Sequence, residues 1–438
     1  MAEFLVIADD LTGAAECAAA CAVRGFRATV LLNSGGERLT QTAWPNSEIL
    51  AIDADTRLLS GGQAAETTAE LIRLAQMSGA PPAGPFIFKK LDSTLRGNFA
   101  AELAAVLRVR SVMTSGAKKI SIVMAPALPA QGRTTVGGRQ MVHGRPLEET
   151  DIWKSDARAP RSNISAMLAE VGLSCALIDL DTVRFGLRDL QVAMSGLAPR
   201  TDVILCDAET DDDLRAVAEA SVVLGEQTVW AGSAGLAGHL PYAIKIAAGG
   251  VDVGQVCFTP GPALFVVGSP APSSREQARM LAAIPDVATV LVAPDSLLNC
   301  QDVSAEIVEG LRSGRDVLVM FDEGQLFTCN EVPRFTKSLS RVVAPCASIL
   351  GGLVVTGGET ARAVLDDLSI RRLRLLGEVE SGLPFSVADG WTRPLPVLTK
   401  AGGFGSPLTL VRCREFLQRL ERVSAFNEAQ SSFVSREN

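Results

Sequence analysis

Residues 6–14 read VIADDLTGA, so two adjacent carboxylates, Asp9 and Asp10, and the Thr12 hydroxyl fall where an apolar run gives way to an alanine-rich stretch. At the carboxyl end of a strand, such groups suit accepting a proton from an alcohol, binding its hydroxyls or holding a metal. The plainer alternative is an acidic turn in which Thr12 caps the helix. A second segment, FKKLDSTLRGN at residues 88–98, packs Lys89, Lys90, Asp92, Ser93, Thr94 and Arg96 into another strand-to-helix turn. Free N–H donors and the helix dipole there favour an anion, a carboxylate or a phosphate; otherwise it is a solvated turn. A third segment, APALPAQGRTTVGG at residues 125–138, is too long and too rich in Pro and Gly for a simple connection. Arg133 with Thr134 and Thr135 suits a lid over a small ligand, and a β-hairpin excursion used for dimer contacts is the alternative.

Three glycine-rich turns recur further on: Gly268-Ser269-Pro270, Gly357-Gly358-Glu359-Thr360, and Lys400-Ala401-Gly402-Gly403-Phe404-Gly405. Glycine lets a backbone approach a ligand closely, and successive turn N–H groups form an anion nest, so together the turns suggest a phosphate cradle. No GxxxxGK[ST] motif is present and no intact GxGxxG follows the first apolar run, which disfavours a P-loop enzyme and dinucleotide binding. With only His143 and His239 in the chain, neither in a ligand-spaced cluster, a His-based zinc site or a Ser-His-Asp triad is disfavoured.

The elements that must hold these segments alternate. Strand-like runs at residues 4–8, 26–32, 49–52, 86–88, 120–124, 175–178, 203–206 and 228–230 are separated mostly by helical patterns, which implies parallel pairing in a doubly wound sheet. After AGGVDVGQVCFTPGP the alternation restarts, with strands at 263–267, 289–292, 316–321, 353–356 and 397–399 and helices near 274–284, 303–313, 360–368 and 407–421. At 438 residues the chain exceeds one ordinary core. The expected organisation is therefore α/β in two domains, each with a mainly parallel sheet flanked by helices: 1–247 for substrate, 248–262 as linker, 263–425 for nucleotide, and 426–438 as a fraying tail.

Hydrophobic residues at 47% and charged residues at 21% match soluble globular domains, and a net charge of −8 argues against nucleic acid as a partner. Small anions stay open, because 33 of the 41 basic residues are Arg. The nine cysteines include no CxxC pair, and the chain shows neither a leader pattern nor an apolar run of about 18 residues, so a cytoplasmic, reducing location without a membrane span is expected.

Taken in order, IADDLTGA, KKLDSTLRGN, APALPAQGRTTVGG followed by GRPLEETD, then WAGSAGL, GSPAP, GGETA and KAGGFG resemble the four-carbon acid sugar kinase family over about residues 4–420. The resemblance implies an N-terminal substrate domain, a C-terminal nucleotide domain and ATP-dependent phosphorylation of the 4-hydroxyl of threonate, erythronate or a 3-oxo-tetronate. It implies that Asp9, Asp10, Lys90, Asp92, Ser93 and Arg96 line the acid site, with Arg133 the further cation expected near the acid's carboxylate. It also implies that Ser269, Gly357, Gly358, Glu359, Thr360, Gly402 and Gly403 hold ATP. DIWKSDARAPRSNIS, around Trp153, departs from the family's usual run. Phosphoryl transfer asks mainly for positioning and charge neutralisation. The mechanism read here has Asp10, in preference to Asp92, orienting or deprotonating the hydroxyl while Lys90 and Mg²⁺ offset phosphate charge. Two rivals are kept, a non-catalytic sugar-acid sensor and an aldolase or isomerase using a Schiff-base Lys; a homodimer is compatible with each.

Overall fold

The computed structural model describes residues 2–33, 47–77, 85–113, 119–150, 161–225, 228–251, 256, 258–293, 300–322, 332–391 and 393–434. Trp153 and its neighbours at 151–160 lie outside them, as does part of the expected linker. The chain divides into two compact units, Met1–Gly250 and Val251–Asn438.

In the first unit the strands β1 (Phe4–Ala8), β2 (Ala28–Leu32), β3 (Ile49–Asp53), β4 (Phe86–Lys90) and β5 (Ile122–Ala125) precede a small antiparallel excursion. That excursion is β6 (Arg133–Val136), β7 (Arg139–Val142) and β8 (Arg145–Pro146). Strands β9 (Cys175–Ile178), β10 (Val203–Cys206) and β11 (Val229–Gly232) complete the main sheet, ordered β2-β3-β1-β4-β11-β5-β10-β9 and parallel throughout. Such strands are buried on both faces, which is why β1, β2 and β3 are buried at every position and almost wholly apolar rather than alternating.

Helices cover the two faces unequally. Leu5, Ile7, Leu50, Ile52 and Ile87 share a core with α2 (Gly61–Met77) and α3 (Phe99–Met113). The opposite side of β1 takes α1 (Leu11–Ala22), an alanine-rich helix packed against α8 (Ala234–Ala243), which in turn meets α7 (Asp211–Ser221). The chain therefore leaves β1 toward one face and β4 toward the other, although β1 and β4 are neighbours. A crevice opens where connections diverge in this way, at the carboxyl ends of the strands. Helix α1 is capped by Asp10, whose Oδ1 accepts the Gly13 N–H at 2.9 Å, and not by Thr12.

The long segment after β5 folds as a β-hairpin excursion, and its Arg133 still reaches Ser93. Its two-residue turn, Gly137-Gly138, has φ of 59° and 69°, a mirror-image turn that β-carbons disfavour. The Asp207 carboxylate at the end of β10 accepts both N–H groups at 2.7 and 3.0 Å and ties the hairpin to the sheet.

The second unit has β12 (Ala263–Val267), β13 (Val287–Val292), β14 (Asp316–Phe321), β15 (Gly352–Thr356), β16 (Arg372–Glu378), β17 (Pro384–Ala388) and β18 (Pro396–Lys400), ordered β13-β14-β12-β15-β18-β17-β16. The first five in that order are parallel; β17 runs antiparallel to β18 and β16. Helices α9 (Pro272–Ala282), α12 (Gly358–Asp367) and α13 (Thr409–Val434) matter for the site. The sequence reading lacks β16 and β17, and α13 continues to Val434, beyond the loss of its apolar face near residue 422.

The close approach of neighbouring strands generates a stability prediction. A β-carbon on Gly232, which ends β11, would overlap the Ala125 carbonyl of β5, whereas one on Gly196 would meet nothing within 4 Å. Gly232→Ala should destabilise the first unit by about 1–3 kcal/mol, while Gly196→Ala, inside a helix, should be neutral or stabilising by up to about 1 kcal/mol. Urea unfolding of both variants measures the contrast, and equal midpoints would refute it.

Candidate active site

Asp9 and Asp10 emerge from β1 into the crevice, and a loop after β3 closes on them. The Thr56 and Arg57 N–H groups both donate to the Asp9 carbonyl, at 3.0 and 3.2 Å. This brings the Arg57 guanidinium across both carboxylates: Nε donates to Asp9 Oδ2 at 2.8 Å and Nη1 to Asp10 Oδ2 at 2.6 Å. Asp9 Oδ1 is buried and has no hydrogen-bond partner. Burial pushes the Asp9 carboxyl up, but Arg57 and Lys89 outweigh it and hold it below its usual value.

Strand alternation sends the two lysines of β4 to opposite faces. Lys89 pairs with Glu102 of α3 at 3.2 Å, both side chains essentially inaccessible, and Glu102 also accepts the Thr56 hydroxyl at 2.6 Å. Lys90 turns toward α1. A β-carbon on Gly13 would stand 2.8 Å from Lys90 Nζ and 2.8 Å from Asp10 Oδ1, so the missing side chain makes room for the ammonium over the first turn. One turn along that helix is Glu16. Burial pushes its carboxyl up against the pull of Lys90, and burial's opposite effect on Lys90 is overcome by Glu16, which keeps the ammonium charged.

Beyond β4 the loop folds tightly, with Leu95 at φ 59° and Gly97 at φ 86°; a β-carbon on Gly97 would lie 2.9 Å from Asp9 Oδ2. Left-handed backbone at a buried Leu is strain that surrounding contacts must hold. Asp92 Oδ2 accepts Arg96 Nε and Thr94 Oγ1, both at 2.6 Å. Burial would raise the Asp92 carboxyl, yet Arg96 and Arg57 hold it well below the carboxylate range. The hairpin docks here: Arg133 Nη1 donates to Ser93 Oγ, and buried Gln140 donates to the Ser93 carbonyl at 2.8 Å. Arg133 has no carboxylate within ion-pair distance among the described residues, and burial pushes its guanidinium down.

All seven residues expected at the acid site, Asp9, Asp10, Lys90, Asp92, Ser93, Arg96 and Arg133, thus fall in one crevice. Arg57, Glu16, Gly13 and Gln140 escaped the sequence reading. Glu16 had a signal, as the sole charge in an otherwise apolar helix; Arg57 had one in DADTR following a strand-like run.

In the second unit, the three glycine turns follow β12, β15 and β18, which are consecutive in the sheet. Their backbones interlock: the Gly357 N–H donates to the Lys400 carbonyl at 2.8 Å, and that of Gly268 to the Thr356 carbonyl at 3.3 Å. Side chains on Gly268 and Gly402 would overlap Thr360 and Ser269, so these two glycines permit packing between the turns. Gly403 instead faces open space. Gly357, at φ 100°, precedes the first turn of α12, whose Gly358, Glu359 and Thr360 present helix-start N–H groups beside Ser269.

The chain matches a sugar-binding N-terminal domain over residues 4–240 and a nucleotide-binding C-terminal domain over residues 264–410. It is 38% identical to a D-threonate kinase of Cupriavidus necator, covering 93% of this chain and 96% of that one. It is 26% identical to a D-erythronate kinase of Heliobacterium modesticaldum, covering 95% and 97%. A solved structure of a Haemophilus influenzae protein shares the fold, with a TM-score of 0.69 at 18% identity over 94% of this chain and 100% of that one. Among the described residues no helix is long and apolar enough to cross a membrane. Matched along both units, and at that identity to a curated relative over nearly its whole length, the chain belongs to the four-carbon acid sugar kinase family.

Proposed function

We propose that the chain transfers the γ-phosphoryl group of ATP to the 4-hydroxyl of a four-carbon sugar acid, with D-threonate the first candidate. The observation that carries this is Arg133, a half-buried cation that, among the described residues, makes no ion pair and donates to the Ser93 hydroxyl, beside Asp9, Asp10 and Asp92, which Arg57 and Arg96 hold. It suits the acid's carboxylate. Arg96 is less available, since Asp92 already neutralises it.

The transfer breaks the bond from the γ-phosphorus to the ADP oxygen and forms one to the C4 oxygen, and the hydroxyl proton passes to a carboxylate. Asp10 caps α1 and holds Arg57, and Asp92 is held by Arg96 and Thr94. Both act best as anchors that orient substrate hydroxyls. Glu16, with its raised carboxyl beside Lys90, is the better base. Lys90 supplies positive charge for the transferring group. Mg²⁺ accompanies ATP in such reactions and neutralises the phosphates when bound. Among the described residues no cluster of three or more His, Cys, Asp or Glu forms a cage for it. The Schiff-base alternative fits poorly, because it needs a neutral amine at the acid site, where Glu16 helps hold Lys90 as a cation and Lys89 is buried in its ion pair with Glu102.

The test of the function is ADP release with Mg²⁺ and ATP, measured without acid and with D-threonate, D-erythronate, erythritol and threitol. Strong stimulation by an acid and little by the polyols is expected; equal release in all arms would sink the kinase reading and leave the sensor. Arg133→Ala should lower kcat/KM for the acid roughly 10- to 100-fold, the worth of a charge-assisted hydrogen bond, while barely changing the polyol rate. A larger loss for the polyol would move the carboxylate site elsewhere.

For the base, Glu16→Gln should lower kcat by about 10²–10⁴ with KM for the acid little changed. Deprotonated Glu16 is required, so the wild-type kcat should fall as pH drops through a value above the ordinary Glu range, and the variant should lose that limb. A variant with wild-type kcat would return the role to Asp10.

A further inference from the structure

We propose that Lys400 is the positioning residue of the nucleotide turn, gathering three backbone carbonyls so that the turn's N–H groups face the phosphates. The inference rests on the reading of the second unit as the ATP site.

Lys400 ends β18 and is 1% exposed. Its Nζ donates to the carbonyls of Ala401 at 2.9 Å, Gly402 at 3.3 Å and Phe404 at 2.9 Å. An ammonium has three N–H donors. All three are spent on the turn, so Lys400 has none left for a phosphate and acts through the backbone. Helix α9 pulls the same carbonyls inward: Ser273 and Ser274 donate to Gly402, and Gln277 donates to Phe404 at 2.8 Å. Every peptide here is trans, and in a planar trans peptide the N–H opposes the C=O. With the Gly402 carbonyl drawn to Lys400 and α9, the Gly403 N–H is aimed the other way, and Gly403 itself is uncrowded, since a β-carbon there would meet nothing within 4 Å. That makes an outward-facing donor of the kind an anion nest uses.

The charge that does the gathering sits near neutrality. Burial pushes the Lys400 ammonium down to about 8, against the smaller opposite pull of Cys413 and Glu380. Glu380 is itself held by Thr409 and by Arg412 of α13 at 2.8 Å, and Cys413 is a buried thiol pushed up to about 12. The α9 groups that reach the turn, Ser273, Ser274 and Gln277, do not titrate. As pH rises through about 8, the ammonium becomes an amine with two donors and a lone pair facing carbonyls. Bound phosphates favour the ammonium, so nucleotide binding takes up a proton in that range.

The stability sign is opposite. Because the folded value lies below the unfolded 10.5, burying the charge disfavours the fold fully below pH about 8, and the penalty fades as pH rises toward 10.5. Lys400→Met should therefore keep or raise the melting temperature at pH 7 while weakening nucleotide binding. A purely structural lysine would do the reverse.

The experiment is calorimetric titration of ADP with Mg²⁺ into the full-length protein at pH 7.5, 8.25 and 9, each in two buffers of different ionisation enthalpy. This range lies above the phosphate's own titration near about 6. Wild type should lose affinity several-fold across it and take up a fraction of a proton near pH 8. Lys400→Met should bind ADP at least ten-fold more weakly at pH 7.5, with a flat profile. A Lys400→Met protein that binds like wild type overturns the inference. Should that variant not fold, Lys400→Gln and the wild-type profile decide, and a wild-type affinity constant from pH 7.5 to 9 overturns it. If wild type binds no adenine nucleotide at all, the functional reading of this unit fails and the inference falls with it.

Discussion

Two carboxylates side by side at the end of a buried strand repel each other and lose solvation, so they stay ionised only where cations are built around them. Arg57 meets that demand by spanning Asp9 and Asp10, and its position depends on two backbone N–H groups donating to the Asp9 carbonyl. The loop after β3 is thus a condition for the carboxyl end of β1. Behind it, Thr56 reaches Glu102, which neutralises Lys89, so the charge network continues through the sheet to α3. Removing one member leaves a buried charge unpaired, a far larger cost than the pair contributes when intact. The charged groups at the ends of β1 and β4 are therefore held as a unit, and Arg133 stands beside them with its Nη1 on the Ser93 hydroxyl.

The parallel core was legible because its strands are apolar runs of five or so residues between glycine and polar turns, as in FLVIA and ILAID. The residues at the strand ends could be named because polar groups crowd segments that otherwise read as turns. What stayed hidden depends on neighbours distant in sequence. Arg57 lies 47 positions from Asp10 and acts only because β3 and β1 are paired. Gln140 contacts Ser93 only because the hairpin folds back. The Thr12 cap failed for a local reason: the helix starts two residues earlier, where Asp10 caps it by accepting the Gly13 N–H. Strand β16 was missed because charged residues alternate with its apolar ones, as in RLRLLGE, where Leu373 and Leu375 are buried, and β17 because it is a short run, PFSVA, that opens on a proline.

The glycine turns show how a correct grouping can rest on an incomplete reason. Their sequence suggested a phosphate cradle in which glycine lets the backbone approach the ligand closely. Gly268 and Gly402 instead clear space for Thr360 and Ser269, which locks the turns after β12, β15 and β18 against one another. Gly403 alone of these three leaves open space. Packing glycines and ligand-facing glycines are indistinguishable in sequence, because both are simply positions without a side chain.

Both units solve one problem by the same physical means. A site for a charged ligand must present donors or charges already oriented, since reorientation at the moment of reaction would cost part of the rate gain. In the first unit, Arg57 and Lys89 are spent on protein carboxylates, which fixes the frame on which Lys90 and Arg133 stand. In the second, Lys400 is spent on protein carbonyls, which fixes the frame from which the turn's N–H groups project. Cations spent on protein groups thus fix the backbone and side chains around them. Burying them opposes folding, so the rigidity of each site is carried by the apolar strands beneath it, whose residues are almost wholly inaccessible. That division explains why residues of such different character adjoin along a single strand: in β4, Ile87 and Phe88 fill the core, and Lys89 and Lys90 follow at once with charge.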